Sequence, residues 1–115
     1  DHTVWGLIGI LRGAERCIDF TRGPDGRLVP GAETRLETGA VSALGPATGD
    51  IHRVANAFDD RVSVAIHVYG GNIGAVARHV YDPVTGAAKD FVSGYAAAVV
   101  PNLWDRSAET RARLS

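Results

Sequence analysis

Cysteine is nearly missing from this chain. Cys17 stands alone, which excludes a disulfide framework and any cysteine-rich zinc site, so a metal would have to be held by histidine and carboxylate. Long apolar runs are missing as well. No segment approaches the roughly 18 uncharged apolar residues of a membrane-spanning helix. The N-terminal stretch has neither the basic region nor the apolar core of a secretory signal. The expectation is a cytoplasmic protein with no membrane partner. An excess of positive charge is the third absence. Lys and Arg number 12 against 13 Asp and Glu, for a net charge of -1. No basic run or stripe interrupts the sequence, so nucleic acid is not an expected partner.

What remains is the composition of an ordinary globular domain. The 115 residues are 45% hydrophobic and 22% charged, enough for one core and too few for two. The segment Thr3–Leu11, TVWGLIGIL, is apolar at both parities, the pattern of a strand buried on two sides, and Gly13 closes it. Glu15–Thr21 is a second extended run. The RGPDGR that follows carries Pro24, Asp25 and Gly26 as turn residues, which predicts a hairpin. Further short extended runs fall at Thr34–Glu37, Gly39–Ala43, Ile51–Ala55, Val62–Tyr69 and Ala75–Tyr81, separated by Gly, Pro, Asn and Asp. Many short strands at this spacing predict an all-β sandwich or barrel. The exception is the tail, where Asp105 is placed to cap a polar helix through RSAETRARL.

One strand has two unlike faces. Val62, Val64, Ile66 and Val68 share one side, while Ser63, Ala65, His67 and Tyr69 share the other. With the His67/Tyr69 side turned inward, the valine side needs a cover. Within the sequence only the C-terminal segment is available for it, so the expectation is that helices preceding Asp1 lie there.

Four histidines are present, and two sit in recognisable surroundings. His2 heads the β-run ended by Gly13. In GDIHRVAN, Gly49 is followed three residues later by His52 and then, four further on, by Asn56. This arrangement resembles the two motifs of the cupin superfamily, a His-x-His strand closed by Gly and a Gly-x-x-His-x-x-x-Asn strand. Histidines two apart on one strand point the same way, and a third on a neighbouring strand completes a facial set of nitrogen donors with open positions opposite. Such a set of three neutral imidazoles leaves a divalent ion its full charge, which suits a thiolate ligand.

The longer stretches DHTVWGLIGILRGAE, GDIHRVAN, AIHVYGG and HVYDPVTG are similar to the cysteine dioxygenase-type thiol dioxygenases, in particular the bacterial branch described as metal-dependent double-stranded β-helix enzymes. The resemblance spans most of residues 1–94. It implies a small cupin jelly roll over residues 1–100, lacking its N-terminal part, with residues 101–115 as a helical tail. It also implies Fe(II) as cofactor and, as substrates, O2 and a small thiol such as cysteine or 3-mercaptopropionate, converted to a sulfinic acid. Carried over by position, His2 and His52 are metal ligands with a third His expected immediately before Asp1, and His67 and Tyr69 form the hydrogen-bonded pair beside the substrate.

The departures are specific. Ala65 stands where the family's Ser-His-Tyr relay has its Ser. Gly6 stands near the Cys that some animal members crosslink to the Tyr. Gly70 and Gly71 replace Ser-Pro-Pro, and the acidic ligand of the general cupin motif is missing. The substrate-carboxylate Arg lies upstream or among Arg12, Arg53 and Arg78. Two other readings stay open: a cupin enzyme using another metal for different chemistry, and a non-catalytic small-molecule-binding cupin. Asn56 reads as a turn-former rather than a ligand. His79 has no evident partner and reads as structural or exposed. Cys17, Trp5 and Trp104 read as packing residues. Exposed strand edges and the uncovered valine face make a homo-oligomer plausible.

Overall fold

The computed structural model describes residues 1–96 and 105–115, and over these the protein is mostly β with one short C-terminal helix. The strands are β1 (Gly6–Arg12), β2 (Ala14–Arg22), β3 (Leu28–Glu37), β4 (Val41–Leu44), β5 (Ile51–Asn56), β6 (Val64–Tyr69), β7 (Arg78–Tyr81) and β8 (Ala88–Phe91). A single 3-10 turn, Ile73–Ala75, precedes β7, and helix α1 spans Ser107–Leu114. All pairing is antiparallel. One sheet has the order β4-β1-β6, a second β3-β2-β5, and β7 pairs with β8 as a hairpin.

The two three-stranded sheets meet over a small core. In β1 the inward residues are Ile8 and Ile10, 2% and 3% exposed, and they pack with Leu44 of β4, Leu36 of β3, and Ala65 and Tyr69 of β6. Burying each isoleucine contributes about 1.5–3 kcal/mol. Register carries this inward face across the sheet, because Gly6 lies opposite Tyr69, Ile8 opposite His67 and Ile10 opposite Ala65. The pairing slips between Ile10 and Arg12, leaving Leu11 as the extra residue, 62% exposed. Gly13 then turns the chain at φ 77°, a conformation natural to glycine. Beyond it, the Ala14 amide donates to Ser63 Oγ at 3.1 Å, so a hydroxyl from the loop before β6 satisfies a fully buried backbone group.

The inward orientation of the His67/Tyr69 side agrees with the alternation in the sequence. The opposite side is apolar and open: Val64, Ile66 and Val68 are 38%, 53% and 50% exposed. Helix α1 packs on the 3-10 turn instead, where Thr110 Oγ1 donates to the Ala75 carbonyl.

Several elements differ from the expectation. Thr3–Val4 and Trp5 are not in β1, and Trp5 is 58% exposed rather than packed inside. Its indole lies against Gly70, where a β-carbon would collide with the ring. The expected strand over Ala75–Tyr81 is a 3-10 turn followed by a four-residue strand, and β8 was not anticipated. Asp105 does accept the Ser107 amide at 2.8 Å, although the residue at the N-cap itself is Arg106. Trp104 lies outside the described residues. No helix among the described residues is long and apolar enough to cross a membrane.

Candidate functional site

His2 and His52 come from opposite parts of the chain and meet at one end of the sheets. His52 is the second residue of β5, opposite Asp19 of β2. His2 sits just before β1. Their rings stack with centroids 4.9 Å apart and planes 23° apart. Tyr69, the last residue of β6, lies with its ring 5.3 Å from that of His2 at 21°. Its hydroxyl is 3.3 Å from His67 Nδ1. Of the four residues singled out in the sequence, His2, His52 and Tyr69 therefore form one cluster. His67, exposed on the same strand side, joins it through the phenol.

Tyr69 reaches this place because position 6 is glycine. A β-carbon on Gly6 would lie 2.9 Å from Tyr69 Cδ1 and 3.0 Å from the Val68 carbonyl, closer than such atoms pack. Ala65, in place of a relay serine, packs against the Ile8, Ile10 and Leu44 core. Asn56 is a loop brace: its amide donates to the Arg61 carbonyl at 2.7 Å, and its Oδ1 accepts the Phe58 amide and lies 2.7 Å from Ser63 Oγ. Cys17 is half-buried on the inward side of β2, and burial raises its thiol pKa.

Beside the imidazoles lies a cavity of about 430 Å³. Its polar lining includes His2, His52, Arg53 and Arg78 together with Asp1, His79 and Tyr81, and Phe20, Leu28, Ile51 and Phe91 supply much of the apolar remainder. Arg78 stacks its guanidinium on Phe91, 4.9 Å from the ring centroid. Its Nε is buried with no hydrogen-bond partner. Arg12 does not line it.

A second carboxylate cluster anchors the chain start. Asp1 Oδ2 accepts the Tyr81 hydroxyl at 2.6 Å and lies 3.1 Å from His79 Nδ1, while Asp1 Oδ1 accepts the His79 amide at 2.7 Å. His79 thus has a partner that the sequence reading did not supply, and Asp90 lies 3.5 Å from its other ring nitrogen.

The electrostatics favour neutral rings. Burial lowers the pKa of His2, with Arg78 acting in the same direction and Asp50 opposing them. Burial also lowers His52, assisted by His2 and opposed by Asp19. Burial raises Tyr69, partly offset by Arg78, so the phenol keeps its proton at neutral pH. A histidine whose pKa is depressed on folding contributes stability that is complete above its unfolded value, about 6.5, and is lost as pH falls through the folded value. Urea titrations of metal-free protein are therefore expected to give a lower unfolding free energy at pH 5 than at pH 7.5. The difference should shrink in a His2→Gln, His52→Gln double variant; an unchanged difference would refute the assignment.

Among the described residues, no group of three His, Cys, Asp or Glu side chains closes around a metal position. No family model matches the chain.

Proposed function

We propose that this protein is a cupin jelly roll acting as a ferrous-iron thiol dioxygenase, with His2 and His52 as two of the metal donors and a small thiol carboxylate as substrate. The observation that carries the reading is the convergence of His2 and His52 at 4.9 Å, with Tyr69 against His2. The cavity beside them, with the unpartnered Arg78 donor in its wall, supports it. The third nitrogen donor is the one that the His-x-His pattern puts immediately before Asp1.

When bound, ferrous iron supplies the redox chemistry by which a thiol and one O2 become a sulfinic acid, with both oxygen atoms retained in the product. The chain's own residues bind and orient. Neutral His2 and His52 present nitrogen lone pairs at pH 7 without first releasing a proton. Arg78 is the cation suited to the substrate carboxylate, because it lines the cavity with its guanidinium stacked on Phe91. Tyr69 stays protonated and holds a hydroxyl over the His2 side of the site, its direction fixed by His67 Nδ1. The apolar walls from Phe20, Leu28 and Ile51 limit water around the reacting sulfur.

The complete protein, loaded with Fe(II), is expected to consume one O2 per 3-mercaptopropionate or cysteine and to yield the sulfinate, read with an oxygen electrode and mass spectrometry. Iron binding without oxygen uptake across a panel of thiols would overturn the activity in favour of another metal-dependent cupin chemistry. Carboxylate binding by protein that takes up no metal would overturn it in favour of a binding protein.

A further inference from the structure

One contact at the site is made by a residue that neither motif uses. Asp50, the turn residue two positions before His52, directs its whole carboxylate at the segment carrying the other imidazole. Oδ1 accepts the His2 amide at 2.9 Å, and Oδ2 accepts the Thr3 amide at 2.8 Å. Oδ1 also lies 3.4 Å from His2 Nδ1. That ring nitrogen is buried and has no aligned hydrogen-bond partner, so the carboxylate acts on it as a nearby charge rather than through a linear bond. Both side chains are well covered, 14% exposed for His2 and 16% for Asp50.

Thr3 has φ 59°, the left-handed region that a β-branched residue seldom occupies. In that conformation the consecutive amides of His2 and Thr3 face one anion, as in the anion-binding nests formed by successive N–H groups. Thr3 Oγ1 donates to the His2 carbonyl at 2.7 Å, which helps hold the turn. The sequence thus spends an unfavourable threonine conformation on gripping Asp50, and the grip sets the distance between the strand of His52 and the residue that stacks on it.

We propose that Asp50 is a positioning residue for His2: its carboxylate locks the His2–Thr3 backbone to the head of β5 and keeps the imidazole proton on Nδ1, leaving the Nε2 lone pair free to face the His52 side. A carboxylate behind a ligating histidine is the general device for fixing tautomer and ring orientation. The placement of His2 and its tautomer stand without any metal. Only the consequence for affinity rests on the metal-site reading.

The test separates the two. Long-range proton–nitrogen correlation spectra of ¹⁵N-labelled, metal-free complete protein at pH 8 report which ring nitrogen of His2 carries the proton. The expected result is Nδ1–H, with a shift toward the Nε2–H form of free histidine in Asp50→Asn and Asp50→Ala. The His52 ring signals in the same spectra, with the backbone amide spectrum, show that each variant remains folded. Co(II) affinity, followed by its visible absorption, is expected to fall about 10- to 100-fold in Asp50→Asn. Nε2–H in the unaltered protein, or Nδ1–H retained in folded Asp50→Asn, overturns the proposal. An unaltered protein with Nδ1–H that binds no Co(II) leaves the positioning role standing and overturns the metal-site reading instead.

Discussion

His52→Ala is expected to lower the Fe(II) affinity of the complete protein by at least about a hundredfold and to take thiol oxidation to background. Loss of a hydrogen-bonding partner behind a ligand typically costs 10- to 100-fold in affinity, and removal of the ligand itself removes a bond to the ion, so the effect should exceed that range. His52 stacks on His2 from the opposing sheet, and its neutral ring needs no proton release before it donates. The fold should tolerate the change. His52 is half-buried on β5, an edge strand of its sheet, outside the Ile8, Ile10 and Leu44 core. Chelator-competition titration with Fe(II), alongside the oxygen electrode, reads both quantities. Arg12→Ala is the control, since Arg12 is exposed on β1 and lines no part of the cavity. Iron affinity in His52→Ala equal to that of the unaltered protein would remove the basis of the functional reading.

The second large effect concerns substrate choice. Arg78→Ala should lower kcat/KM for 3-mercaptopropionate about 10- to 150-fold, the equivalent of the roughly 1.5–3 kcal/mol that a hydrogen bond to a charged group contributes. Most of the change should appear in KM, because a grip on a remote carboxylate binds ground state and transition state alike. Cysteamine carries the thiol but no carboxylate, so its much slower turnover should change less than about threefold. Arg78→Lys retains the charge but neither the planar fork nor the stacking on Phe91, and it should recover only part of the loss. Equal losses with both thiols would assign Arg78 a structural role and leave the carboxylate without a partner.

The parts of the fold that could be read in the sequence are those where local pattern and tertiary demand agree. The run Glu15–Thr21 is β2 within a residue at each end, and Ile51–Ala55 is β5 within one. The alternation in Val62–Tyr69 identified the inward side of β6, because one register decides the fate of every second residue. β3 begins at Leu28, six residues before the expected Thr34, and crosses Pro30 and Gly31, which is tolerated because β3 is an edge strand with no ladder partner on its outer side. β8, AKDF, is solvent-facing apart from the partly covered Phe91 and carries no hydrophobic alternation, so its strand form comes from pairing with β7. Trp5 reads as a packing residue in the sequence and is 58% exposed in the fold. Its neighbour is Gly70, contributed by a distant loop, and one face of the indole stays open.

The site follows the same division. His2, His52, His67 and Tyr69 were legible through a motif resemblance and through period-2 geometry. Arg78 was one of three candidate arginines, with Arg12 and Arg53, and nothing local chose among them, while Asp50 and the Asp1–His79–Tyr81 cluster were not legible. Asp50 looks like any turn aspartate, since nothing local announces two amides 47 and 48 positions away. Arg78 is one arginine among many until the hairpin of β7 and β8 brings it to the cavity wall. The tie between Asp1 and His79 spans 78 positions, beyond the reach of any windowed pattern.

Those long spans bear on when the site exists. Asp50 grips residues 2 and 3, and Asp1 grips β7, only after β1, β5 and the β7–β8 hairpin have each found their places, and contacts closing loops of such length form slowly. Neither imidazole can recruit the other in a partly ordered chain. A cut anywhere between residues 3 and 50 would leave no fragment owning both rings, so the chemistry is a property of the finished architecture and of no segment within it.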